Sequence, residues 1–357
     1  METLLVPMGN EKLEDNSALR GHGDAECDVI LERRVIVDRG PIGDVAVSSA
    51  DIDSVVVANV ADQSVSIFDP AARPVGDTVA VAGESLAVIV TDDRAYVAHS
   101  SANHDAVSAI DLETRAIVAT FPMDFSVTAL AASPDGKRVY AGLRAHDRVA
   151  VTVIDTVAEK VRTIDIGYGP AASLDALYVD PSGKRLYAAV TDDSGSRLVI
   201  VNRKTSKVQR VVVVGSPIRD IAHASGAIYV LTSDRTVGGA VHVIDLSTNR
   251  VTDTLIIGGA PTQLVMSPDQ ARAYIVDYDR VAVLCTLSLE IVDSLFLDER
   301  PSCVALGADG SSLYVADYSG GVYKFSVEST MEKLYSDLLA TDPSSLNVAR
   351  VLEPVTA

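Results

Sequence analysis

The chain has 357 residues, a formal net charge of −19, 48% hydrophobic residues and no tryptophan. That charge argues against nonspecific nucleic-acid binding, which needs a concentrated cationic surface to displace the counterions of phosphates. No apolar run approaches the roughly 18 residues of a membrane span and no basic-then-apolar leader opens the chain, so the expectation is a cytoplasmic protein that does not cross a membrane.

Residues 1–33 are mainly polar and acidic and read as an N-terminal tail. From residue 34 onward one phrase recurs seven times. Its anchor is a residue of the second strand in each copy, Val56, Tyr96, Tyr140, Tyr187, Tyr229, Tyr274 and Tyr314, at separations of 40 to 47 residues. A period of that length suits one four-stranded propeller blade. Within the copies apolar residues fall two apart, as at Val151 and Val153 or Val241 and Val243, which is strand spacing rather than helix spacing. Turn sequences such as Pro134-Asp135-Gly136 and Pro181-Ser182-Gly183 separate the runs, glycine supplying the positive φ of a tight connection. The predicted fold is all-β: a seven-bladed β-propeller of four-stranded antiparallel blades over residues 34–327. In the sixth copy the predicted strands, innermost to outermost, are 263–266, 273–276, 281–284 and 290–295.

A ring of sheets keeps open edges unless chain from one end pairs with the other. Residues 34–38 precede the first innermost strand and are predicted to complete blade seven; Asn347 to Leu352 are the alternative from the C-terminus.

Rim loops on a rigid scaffold are where ligands bind. Aligning the seven segments that lead into the innermost strands gives one ring of equivalent positions, Asp44, Ala87, Ala129, Ala176, Asp220, Gln263 and Cys303. The ring before it is Gly43, Leu86, Thr128, Asp175, Arg219, Thr262 and Ser302. The charged or large polar members, Asp44, Asp175, Arg219, Asp220 and Gln263, are the candidate ligand-binding residues. Asp44 and Asp220 share a context, Pro-Ile-x-Asp followed by Val-Ala or Ile-Ala, and are placed to face one another across the channel. Bonding to backbone amides at the strand starts is the structural alternative for both.

His99, His104 and His146 read as loop residues on this face, with His223 near the end of the innermost strand of blade five. The five-residue spacing of His99 and His104 does not impose the convergence zinc needs. Asp192-Asp193, Asp277-Tyr278 and Asp317-Tyr318 lack calcium-loop spacing, so no metal and no cofactor is expected. Cys27, Cys285 and Cys303 are too few and too scattered for a disulfide framework. On the opposite face charges of both signs mix, and Arg203 to Arg210 form a local basic stretch that is a weak candidate for touching a phosphate or an acidic headgroup.

Residues 328–357 are predicted to hold a short C-terminal helix and a tail. Ser329 and Glu332 have capping-box spacing, and Met331, Leu334, Tyr335, Leu338 and Leu339 form one apolar stripe before Asp342-Pro343. That stripe packs on the propeller or docks a partner protein.

The phrases Ser133-Pro-Asp-Gly-Lys-Arg-Val-Tyr-Ala141, Val151-Thr-Val-Ile-Asp155 and Gly259-Ala-Pro261 resemble the YVTN, or surface-layer-like, seven-bladed propeller repeats. Propellers of that kind include binding proteins, lyases and lactonases. The valine and alanine richness and the acidic tail are also similar to cytoplasmic propellers of actinobacteria. That similarity implies an accessory or stress-related role, in some cases beside envelope-lipid export complexes.

Two functions follow. One is a monomeric, non-catalytic interaction scaffold that docks another protein, for instance a membrane transporter complex, through its loops and C-terminal helix. The other is a cytosolic sugar-lactone hydrolase in which Asp44, Asp220 or His146 activates water and Arg219 holds an anion or the developing oxyanion.

Overall fold

The computed structural model describes residues 29–48, 54–69, 77–102, 104–145, 147–169 and 171–327, and their strands form seven four-stranded antiparallel sheets. Blade six comprises Gln263–Met266, Arg272–Val276, Arg280–Cys285 and Glu290–Phe296, within one residue of the predicted bounds. All seven anchor residues sit in second strands and are buried.

The hydrophobic core is divided rather than central. Seven clusters of buried side chains each combine residues of two neighbouring blades, so every blade-to-blade contact has its own core. A sheet covered on both faces needs no alternation, which is why Val55–Asn59 reads as a continuous run and is buried throughout. Outermost strands face solvent and read differently: Lys207–Gly215 buries one residue of nine. Each valine buried in these layers contributes on the order of 1.5–3 kcal/mol, so stability accumulates interface by interface.

The repeated turn has a local cause. In blade three the Ser133 hydroxyl donates to Asp135 at 2.6 Å and the Gly136 amide donates to the Ser133 carbonyl at 2.9 Å. Gly136 has φ +64, where a Cβ would be strained, and Gly183 of the next blade has the same value.

The ring is closed from the N-terminus. Val29–Ile36 lies outermost in blade seven and pairs antiparallel with Gly321–Val327, from Val29 opposite Val327 to Ile36 opposite Gly321. The strand therefore begins five residues before Arg34, and Val29–Arg33 belong to it rather than to the tail. The charged run Glu32-Arg33-Arg34 obscured it, yet an outermost strand tolerates charge because one edge and face are wet. Glu32 meets Lys324 at 2.9 Å, and Arg34 reaches Asp298 at 3.4 Å. Val29 and Val327 adjoin the Ser-Pro-Asp-Gly-type turn of blade seven, where the Val327 amide donates to Ser311. Both ends of the described chain thus meet the ring on the face opposite the openings of the innermost strands. Asn347 to Leu352, and the predicted helix with Met331, Leu334, Tyr335 and Leu338, lie outside the described residues. No helix among the described residues is long and apolar enough to cross a membrane.

Candidate functional site

A β-bulge builds the channel mouth. In six blades the ladder between first and second strands skips one residue, and the skipped residues are Gly43, Leu86, Thr128, Asp175, Arg219 and Ser302. In blade six Thr262 donates to the Val276 carbonyl while Gln263 occupies the same partner's register. A bulged residue leaves the ladder and re-aims its side chain. The skipped residues are the outer of the two predicted rings and their successors the inner one. Both rings line a single cavity of about 330 Å³, so the alignment made on sequence corresponds to a real bore.

Within that bore the polar residues are tied to neighbouring blades. Asp44 Oδ1 accepts from its neighbour Val45 at 2.9 Å, and Oδ2 accepts from Val88 of blade two at 2.9 Å. Asp220 repeats the pattern, with Ile221 and with Leu264 of blade six, both at 2.8 Å. Gln263 Oε1 accepts from Val304 of blade seven at 2.7 Å. In each case the inner-ring side chain caps the amide one residue beyond the next blade's inner-ring position.

Burial among the innermost strands pushes Asp44 up to about 6, against the lowering effect of its two amide bonds and of Gln263. Asp220 is pushed up to about 7 by burial, and the Asp44 charge adds to the rise. Both residues are half-buried at the wall of the bore. The Cys303 thiol is raised well above its ordinary value, by burial first and then by the Asp44 charge.

Above the bore lies a second hollow of about 450 Å³, lined by Asp175, Arg219, Thr128, Thr262, Pro261 and Arg300 among others. Asp175 accepts from the Thr191 hydroxyl at 2.5 Å, and Thr191 in turn meets Ser196 at 2.7 Å. Arg219 is exposed and makes no hydrogen bond or ion pair among the described residues.

Arg300 was missed in the sequence. Its guanidinium lies over two tyrosine rings, 4.2 Å from the centroid of Tyr278 and 5.0 Å from that of Tyr318. These tyrosines follow Asp277 and Asp317, whose role is to shape the turns between second and third strands. Asp277 Oδ1 accepts from Ala260 and Tyr278, and Asp317 Oδ1 accepts from Ser319 and Gly321. The Asp-Tyr doublet at matching positions in blades six and seven was the available signal.

The remaining candidates separate from this cluster. His99 is not in a loop: it lies in the second strand of blade two, buried, with Nε2 2.9 Å from the Ser108 hydroxyl, and burial lowers its pKa. His104 is exposed at the start of the third strand. His223 lies in the innermost strand of blade five, its pKa lowered by burial. His146 and Cys27 are outside the described residues. Among the described residues no group of three or more His, Cys, Asp or Glu is arranged to hold a metal ion. Arg203 is not free to meet a phosphate, because it is buried with its guanidinium carbon 5.3 Å from the Tyr140 ring centroid and bonded to the Tyr140 hydroxyl and the Gly183 carbonyl.

Known proteins share this architecture. The family described as lactonase, 7-bladed beta-propeller, matches residues 53–219. The chain is 51% identical over 311 residues to a seven-bladed beta-propeller protein of Mycolicibacterium smegmatis, covering 87% of this chain and 84% of that one. It is 36% identical over 335 residues to the seven-bladed beta-propeller protein Rv1057 of Mycobacterium tuberculosis, covering 84% and 85%. Hydrazine synthase of Kuenenia stuttgartiensis superimposes with a TM-score of 0.69 at 20% identity, over 80% of this chain and 94% of that one, a likeness of fold alone. With its seven four-stranded blades, closed by an N-terminal strand, the chain belongs to the family of these mycobacterial seven-bladed β-propeller proteins.

Proposed function

We propose that this propeller is a non-catalytic scaffold, a monomeric cytoplasmic disc that docks a protein partner at a membrane-associated complex. The observation behind this reading is how the channel carboxylates are spent. A general base needs a lone pair aimed at the proton it takes from a bound substrate or water. Asp44 and Asp220 each commit both oxygens to backbone amides, one of them in the next blade. Each oxygen keeps a second lone pair and can be protonated, but the two amide bonds hold the carboxyl in place as a tie between neighbouring blades. A rigid ring with loops at its rim is instead a platform for contact.

The sugar-lactone hydrolase remains the second reading, favoured by the lactonase-family match over residues 53–219 and by an Asp220 pKa near neutrality. A pH-stat assay with five- and six-membered sugar lactones, phosphorylated and unphosphorylated, separates the two. The scaffold reading expects no rate above spontaneous hydrolysis and no difference between the native protein and Asp220→Asn. A saturable rate that Asp220→Asn or Arg219→Ala abolishes would replace it with the hydrolase.

A further inference from the structure

We propose that the channel mouth is an anion site, in which Arg219 and Arg300 hold the carboxylate or phosphate of a small organic molecule. Both arginines line the same hollow of about 450 Å³, a size within the roughly 300–1,000 Å³ of small-molecule pockets. Several guanidinium groups elsewhere in this acidic chain do have a carboxylate partner: Arg115 meets Asp77 and Arg197 meets Asp192, each at 2.5 Å, and Arg280 meets Asp277 at 3.7 Å. At the mouth, neither Arg219 nor Arg300 has a carboxylate partner or a hydrogen bond from its side chain among the described residues.

The manner in which each is held favours an oxyanion. Guanidinium N–H groups lie in the plane of the group and form a fork that matches carboxylate and phosphate oxygens. The Arg300 guanidinium carbon lies over the ring faces of Tyr278 and Tyr318, a cation–π contact that supplies no oxygen acceptor to its N–H groups. The two ring contacts also restrain the side chain before a ligand arrives, which reduces the entropy lost on binding. Arg219 reaches the hollow because the bulge in blade five takes it out of the strand ladder.

The acids nearby select where the anion sits. Asp175 shares the hollow but is bonded to Thr191. Asp44 and Asp220 line the bore below, so a negative group is favoured at the rim over the bore. Thr262 lines both spaces and offers a hydroxyl to the uncharged part of the molecule, whereas the Thr128 hydroxyl beside it donates to the Leu174 carbonyl at 2.5 Å. This site does not depend on the scaffold reading; it stands or falls without any protein partner.

Isothermal titration of the full chain at pH 7.5 with citrate, and separately with inorganic phosphate, provides the test. The expected result is saturable binding of at least one probe, weakened about 10-fold or more by Arg219→Ala and by Arg300→Ala. Arg219→Lys retains part of the affinity, because a lysine keeps the charge without the fork. Arg250→Ala, on an outermost strand of blade five, leaves binding unchanged. The citrate and phosphate arms distinguish a carboxylate site from a phosphate site. Arg219 has no partner among the described residues to lose, so its replacement keeps the test independent of folding. Absence of binding by both probes below about 10 mM, or equal binding by the native protein and both alanine variants, overturns the proposal.

Discussion

Replacing Asp220 with asparagine should change how stability depends on pH. In the unfolded chain this carboxyl ionises at its ordinary 3.8, whereas in the folded ring burial and the Asp44 charge move it to about 7. Between those values the folded state holds a proton that the unfolded state has released. The group's stabilising contribution is therefore complete below about pH 4 and is lost as pH rises through 7. The part of that loss between pH 5.5 and 8 is on the order of 2 kcal/mol. His99, His223 and His242 act in the opposite direction, since burial lowers their pKa and their unfavourable protonation is relieved as pH rises toward 6.5. Comparing the variant with the native protein cancels them. Asparagine cannot ionise, but its amide accepts through one oxygen, so either Ile221 or Leu264 loses an acceptor at a cost of about 1–3 kcal/mol. Urea unfolding at half-unit steps of pH should show Asp220→Asn less stable at pH 5.5, with the gap narrowing or reversing by pH 8. Parallel curves for the two proteins would refute the argument.

Two further perturbations address the ring itself. Arg203→Ala removes a buried guanidinium that bridges blades three and four and leaves the Tyr140 hydroxyl and the Gly183 carbonyl without it, so a loss of about 2–4 kcal/mol is expected in denaturant midpoints. Arg203→Lys recovering native stability would contradict a need for the guanidinium fork to bond both groups at once. A chain beginning at Val37 lacks the strand that closes blade seven and should fail to give a cooperative unfolding transition. A chain ending at Val327 should retain one, since the closing strand comes from the N-terminus; a cooperative fold of the first would show that another segment closes the ring.

The scaffold was legible because repetition leaves a simple record. Tyrosine at one strand position, valines two apart and a Pro-Asp-Gly turn recur often enough to define blade and register together. The same alignment located both channel rings, since equivalent positions of a closed ring must meet around one axis. Asp44 and Asp220 were found in this way, and their bonding to backbone amides follows from their place at the strand starts. Arg300 was not found, because it lies two residues outside the outer ring and takes its meaning from tyrosines in two different blades. No periodicity connects a residue leading into blade seven with the loop of blade six that stacks on it. His99 reads as a loop residue for a related reason: a polar residue near a strand end resembles one, but here its Nε2 meets the Ser108 hydroxyl within the sheet.

The bulge joins the structural and functional readings. A regular ladder would leave one residue type to serve both the bore and the rim, since neighbours along a strand point to opposite faces of the sheet. Skipping one residue gives adjacent positions different duties without disturbing the blade. Asp220 can then bond to blade six while Arg219, its neighbour, stays unpaired at the mouth. The inner ring is spent on holding the blades together, and charge at the outer ring is free to vary. Within this fold a change of ligand can therefore arise by substitution at Asp175, Arg219 or Thr262 with little cost to the ring, whereas substitution at Asp44, Asp220 or Gln263 is felt first as a loss of contact between blades.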